Sequence, residues 1–260
     1  MNTATNSPRP RRRRARGTAL IVVIVLFVGV AAVAVGSEIY LRNKVSRCMA
    51  GSMALSIGSD VDVELSRKPM LWQMLDGKTP YMEVTTTEGR VGDAEGMSMN
   101  LRLEDVESLD EGEIANTVQS SSADIAWSAQ GILATLQKQG ILAVVTSVNP
   151  DQQNQALDIQ VVGAVLGVTV QPRVVDEAIN LEVTKANIFG IDIPSELPQA
   201  IISTIGAELS DFPLGMTPRE LTVTEEGIDL RLEGGYAEIE RADASDTEVP
   251  AELEEACSLL

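Results

Sequence analysis

The 260-residue chain carries 38 acidic side chains, 20 basic ones, two cysteines and no histidine, and that inventory decides which chemistries are open. Without imidazole, no Ser-His-Asp or Cys-His nucleophile, no H-E-x-x-H zinc site and no histidine proton shuttle can be built. Carboxylate chemistry survives. Asp60, Asp62 and Glu64 share a strand face, but their spacing lacks the glycine and the bidentate glutamate of an EF-hand loop, and a solvated strand face accounts for them. Glu104, Asp105, Glu107, Asp110, Glu111 and Glu113 form a second acidic run, of a kind expected in the turns of so negative a chain. Opposed carboxylates can cleave glycosidic bonds, yet nothing marks out a pair among the 38 acids. Gly163-Ala164-Val165-Leu166-Gly167 has neither the full glycine pattern nor the lysine of a phosphate-binding loop and reads as a bend or bulge in a sheet. The expectation is a protein without catalytic residues, metal or cofactor.

The cysteines, Cys48 and Cys257, lie far apart in the sequence. Outside the cytoplasm such a pair is most economically a disulfide that pins the C-terminal tail to the segment around Cys48; two buried free thiols are the alternative.

The location of the chain follows from residues 17–37, an apolar run free of charge. As a helix it extends about 31 Å, enough to cross a hydrocarbon core of about 30 Å. Six arginines precede it, Arg9, Arg11 to Arg14 and Arg16, so the positive-inside rule places residues 1–16 in the cytoplasm and the remainder outside. The length favours a single-pass plasma-membrane anchor over a cleaved signal peptide, although Ala32-Val33-Ala34 satisfies the A-x-A cleavage pattern. Cys48 follows Arg47 well beyond the apolar run, which disfavours a lipoprotein. Past the span, fourteen basic residues face all 38 acids. This excludes nucleic acid as a partner and argues against adhesion to anionic headgroups through overall charge. A lipid ligand would have to enter through an interior or an apolar mouth.

Several elements must position whatever site exists. Residues 1–16 lack apolar periodicity and are expected to be disordered. Leu41, Val45, Cys48, Ser52 and Leu55 recur at helical spacing, so the membrane helix should continue as a juxtamembrane amphipathic helix over residues 38–58 and end at Gly58. The period then becomes two: Val61, Val63 and Leu65 alternate with polar residues. The same alternation appears in residues 81–87, from Met97 to Leu103, from Leu157 to Val161, from Val168 to Val174, from Ile179 to Val183, at Leu221 and Val223, and from Ile228 to Leu232. This predicts a large antiparallel sheet, with turns at Asn149-Pro150-Asp151 and Glu225-Glu226-Gly227. Helical signals interrupt it at residues 70–75, 127–139 and 194–209, the last with Leu197, Ile201, Ile202 and Ile205 on one face. The class is α+β, with one domain over residues 59–241 and an acidic tail over residues 242–260. Met70, Met74, Met82, Met97 and Met99 fall close together in sequence; flexible thioethers suit a cavity for acyl chains and equally an ordinary core.

The stretch from Val61 through Pro69-Met-Leu-Trp-Gln73 to Gly77, running into the strand at Tyr81, resembles the opening of the LmeA family of actinobacterial phospholipid-binding envelope proteins. Phe212-Pro213-Leu214-Gly215, Leu221-Thr-Val223, Glu226-Gly227-Ile228-Asp-Leu230 and Leu232-Glu-Gly234 resemble its C-terminal half. The likeness spans about residues 38–240, while Lys68, Met70 and Trp72 depart from the residues common there.

The resemblance implies a tubular lipid-binding fold, in which a long, curved antiparallel sheet wraps helices and encloses an acyl-chain groove. It further implies a membrane-anchored, extracytoplasmic phospholipid-binding role in lipid or lipoglycan assembly, with envelope-synthesis proteins as partners. The alternative is an interaction ectodomain that scaffolds envelope machinery without a lipid. The groove candidates are Met70, Leu71, Trp72, Met74, Leu75, Met97, Met99, Trp127, Ile201 and Ile205, and the headgroup candidates are Arg67 and Lys68.

Overall fold

The structure is a computed structural model, and it describes residues 12–87, 89–109, 111–138, 144–161, 165–194, 212–241 and 257. The chain divides into two compact units, residues 1–43 and residues 44–260. In the first, helix α1 (Arg12–Ile57) begins. From Ile24 onward this helix is long and apolar enough to cross a membrane, and Leu26, Phe27, Val30 and Val33 are all exposed. A helix this long and apolar on every side suits a membrane anchor or a signal segment. Glu38 and Arg42 form an i,i+4 ion pair at 3.0 Å.

In the second unit the last turns of α1 bury Val45 and end at Gly58, whose φ of 69° and N–H bond to Ala54 O at 2.9 Å are the left-handed cap that glycine supplies. Strand β1 (Val61–Leu65) follows, with Val63 and Leu65 buried and Asp62 and Glu64 exposed. Then come α2 (Met70–Asp76), β2 (Lys78–Thr86), the hairpin of β3 (Arg90–Val91) and β4 (Ala94–Glu95), and β5 (Met97–Ser108). After these lie β6 (Ile114–Val118), β7 (Ser120–Ser128) and α3 (Ala129–Lys138). A second group comprises β8 (Val145–Asp151), β9 (Ala156–Val161), β10 (Leu166–Val175), β11 (Ala178–Ile188) and β12 (Ile191–Asp192). A 3₁₀ turn at Pro213–Gly215 leads to β13 (Thr217–Val223), β14 (Gly227–Gly234) and β15 (Ala237–Glu240).

Among the described residues these strands form two principal antiparallel sheets. The eight-stranded sheet runs β1-β2-β5-β7-β14-β13, with β6 joining β5 to β15, and the five-stranded sheet runs β12-β11-β10-β9-β8. Helix α3 packs where they meet, placing Ile132 against Val145, Val148, Leu157 and Val223. Val223, Val84 and Val118 are fully enclosed, each contributing roughly 1.5–3 kcal/mol by leaving water. Ser128 caps α3 by accepting the Gly131 N–H at 3.1 Å. A Cβ on Gly131 would lie 2.1 Å from Glu95 O, so only glycine lets α3 sit against the β4 strand.

The architecture is the sheet-dominated α+β class expected from the alternation, and two local readings within it change. Trp127 lies on β7, not on a helix, and helix α3 starts only at Ala129. Of the inward positions before Trp127, Ser121 and Ala123 are small and buried and only Ile125 is a large apolar residue, so the apolar alternation of β7 is short. Asn149-Pro150-Asp151 closes β8 instead of forming the turn. Pro150 is tolerated because β8 is an edge strand, and the reversal follows at residues 152–155, where Asp151 Oδ1 accepts the Asn154 N–H at 3.1 Å. The helical signal at residues 70–75 is α2, ended by Gly77 at φ 64°. Gly167 lies within β10, whose pairing with β11 shifts register between Thr169 and Val170. The expected helix over residues 194–209, residues 1–11 and the acidic tail short of Cys257 lie outside the described residues, whereas residues 12–16, expected to be disordered with the rest of the basic tail, open α1.

Candidate functional site

The inward face of the eight-stranded sheet is built from cross-strand rows. Met97 lies opposite Trp127, and Trp127 opposite Ile228; Met99, Ile125 and Leu230 form the next row, and Leu101, Ala123 and Leu232 the one after. Strand period two puts these rows on one face, and Leu221 extends the middle row onto β13. The facing wall comes from Pro172 on β10 and from Ile179 and Leu181 on β11, while Phe212, Pro213 and Met216 close one side. Gly234 permits that closure, because a Cβ there would lie 2.9 Å from Met216 Cγ and 2.4 Å from Ser121 Oγ.

Between these walls is a cavity of about 360 Å³ whose lining side chains, among the described residues, are all apolar. Trp127 is the one liner with a polar atom, and its Nε1–H is turned out to Glu95 O at 2.9 Å. With no titratable group among the described residues of its wall, what the cavity can do is take apolar chain out of water. A smaller cavity of about 240 Å³ lies further along the same strands, between Met49 and Met53 of α1 and Met82, Leu103 and Val106.

Charge is confined to other surfaces. Arg102 bonds Glu83 and Glu104 and lies over the Tyr81 ring at 4.4 Å, and those bonds raise its pKa further. Arg231 pairs with Asp124 at 3.0 Å. The bond from Lys138 holds the Glu95 carboxyl below the usual carboxylate range. Asp60, Asp62 and Glu64 are exposed, and no acidic cluster fit to hold a metal occurs among the described residues.

Of the residues expected to line a groove, the structure brings together Met97, Met99 and Trp127. Met70 is buried beneath α2, whereas Leu71, Trp72, Met74 and Leu75 are 53%, 65%, 50% and 85% exposed and do not line the cavity. A helix of two turns has an inner and an outer face, and Met70 and Gln73 take the inner one. Ile201 and Ile205 lie outside the described residues. Arg67 is exposed; Lys68 Nζ is committed to Asp76, at 2.6 and 2.8 Å, and to Lys78 O at 2.8 Å. Cys48 and Cys257 form a disulfide with Cα atoms 5.0 Å apart. Sequence reasoning missed Ile125, Leu221, Leu230, Ile179, Leu181 and Phe212 as liners. Alternation marked most of them as inward, but it cannot tell an inward residue in contact with its opposite wall from one facing a void.

No solved structure matches the chain. Proteins of Mycobacterium tuberculosis and Mycobacterium bovis, each named only as uncharacterized, are 23% identical over 228 residues, covering 86% of this chain and 62% of their own length. The chain thus spans a little under two thirds of those relatives. The family described as LmeA-like phospholipid-binding matches residues 32–233, which include α2, α3, the five-stranded sheet and the eight-stranded sheet short of β15. This match covers most of the sequence, and the chain belongs to the LmeA-like phospholipid-binding family.

Proposed function

We propose that the protein is a single-pass membrane protein that holds a phospholipid acyl chain between its two sheets at the outer face of the plasma membrane. The observation that carries this reading is a cavity whose described lining side chains are all apolar in a phospholipid-binding family. A methylene displaces about as much volume as a water molecule, roughly 30 Å³, so 360 Å³ takes on the order of a dozen. That is one acyl chain, with the headgroup left at the mouth. At about 0.8 kcal/mol per methylene the gross gain is about 10 kcal/mol, before the costs of association, and no basic clamp is required. The six arginines before the span support a cytoplasmic N-terminus. The role is carriage or presentation of lipid for envelope lipid or lipoglycan assembly, without catalysis.

A phospholipid with a photoreactive group midway along one acyl chain tests the reading. Illumination should label peptides of β5, β7 and β14, and excess unlabelled phospholipid should compete. Labelling confined to residues 17–37 would contradict it.

A further inference from the structure

The outer face of α2 is unlike the rest of the surface. Leu71, Trp72, Met74 and Leu75 project from one short helix, and Leu75 is the most exposed large hydrophobic side chain among the described residues. Soluble surfaces rarely keep so dense an apolar patch without a use for it. The display is also held firmly. Trp72 N–H and Gln73 N–H both bond Pro69 O, the buried Gln73 side chain donates to Lys68 O at 2.7 Å, and Lys68 crosses the helix to Asp76.

The charge around this patch is less acidic than that of the domain, with Lys78 paired to Glu107 at 3.1 Å and Arg67 exposed. Over residues 67–78 three cations, Arg67, Lys68 and Lys78, accompany a single acid, Asp76, in an ectodomain otherwise dominated by acids. Asp76 is already compensated by Lys68, whose bond lowers its pKa. A tryptophan among leucines, framed by lysine and arginine, is the composition that settles at the lipid–water boundary. The same chain carries a helix able to cross a membrane, so a bilayer is always within tethered reach.

From this we infer that α2 docks on a phospholipid bilayer, inserting Leu71, Trp72, Met74 and Leu75 into the headgroup–acyl boundary with Arg67, Lys68 and Lys78 at phosphate level. The inference is independent of the lipid cavity, whose walls share none of these residues.

The chain has two tryptophans, which makes the test direct. Full-length protein carrying Trp127→Phe is reconstituted into phosphatidylcholine–phosphatidylglycerol vesicles with brominated acyl chains. Trp72 emission should be blue-shifted and quenched relative to unbrominated vesicles. Leu75→Glu should lower the docked population roughly ten- to hundredfold, the weight of one buried leucine. The same comparison by difference in the chain with both tryptophans covers the case in which Trp127→Phe misfolds. Trp72 emission typical of exposed indole, equally bright with and without bromine, would overturn the inference, whether that face is then bare or covered by a protein. Trp72→Phe leaves Trp127 to report bromine in the cavity, so the two readings fail separately.

Discussion

Removing lipid from residues 38–260 should weaken the domain by an amount that the cavity sets. An empty apolar cavity costs about 24 cal/mol per Å³, so one of 360 Å³ left unfilled would cost about 9 kcal/mol. A domain has only about 5–15 kcal/mol of net stability, so the delipidated protein should be marginal, or should close its sheets over the void. Lipid at a hundredfold excess over its Kd adds about 2.7 kcal/mol. For a domain of this size each kcal/mol raises the melting midpoint by about 2–4 °C, so the expected rise is roughly 5–11 °C. Circular dichroism melts of delipidated protein, alone and with added short-chain phospholipid, measure it. An unchanged midpoint with no lipid uptake would refute the reasoning, because it requires the cavity to be neither costly when empty nor a binding site.

Further predictions rest on single contacts. Cys257→Ser opens a link between residues 209 apart in sequence and should cost roughly 2–5 kcal/mol, read as a lower urea midpoint that reductant also produces in the parent protein. Thr135→Val removes a buried hydroxyl that accepts the Glu95 N–H and donates to Gly131 O, both at 2.9 Å; leaving that N–H unpaired should cost about 1–3 kcal/mol, and an isosteric variant with unchanged stability would contradict the assignment. The Asp76 pKa is depressed, first by the Lys68 bond, so its stabilising effect is present above the unfolded carboxylate pKa and is lost as pH falls through the lower folded value. NMR titration should find the Asp76 carboxyl still ionised where exposed aspartates have protonated, and Lys68→Met should raise it toward the ordinary range.

Much of the fold was legible because one-sided burial writes itself into sequence. Val61, Val63 and Leu65 alternate, and β1 buries that side; the helical stripe ended at Gly58, and α1 ends there. Strand β7 was not legible. Its inward Ser121 and Ala123 are small, packing beside Leu103 and Leu232 in neighbouring strands, which leaves only Ile125 and Trp127 to carry an apolar signal. The cavity was only partly legible, since Met97, Met99 and Trp127 were expected there while its facing wall, at Ile179 and Leu181, comes from another sheet. No local pattern records which two sheets will face each other. For α2 the composition suggested a lipid contact, but not which face the helix would show. Two turns of helix give Leu71, Trp72, Met74 and Leu75 no periodicity that separates inside from outside, and only the burial of Met70 and Gln73 decides it.

Native and denaturing mass spectra of the protein, purified from a host with an actinobacterial envelope, test the central claim most directly. The account predicts a native mass in excess of the polypeptide by one phospholipid, released on denaturation, with the excess abolished by Leu230→Trp in the cavity wall. A native mass equal to that of the bare chain, from protein that is folded and takes up no added phospholipid, would contradict it and leave a packed interaction domain in its place.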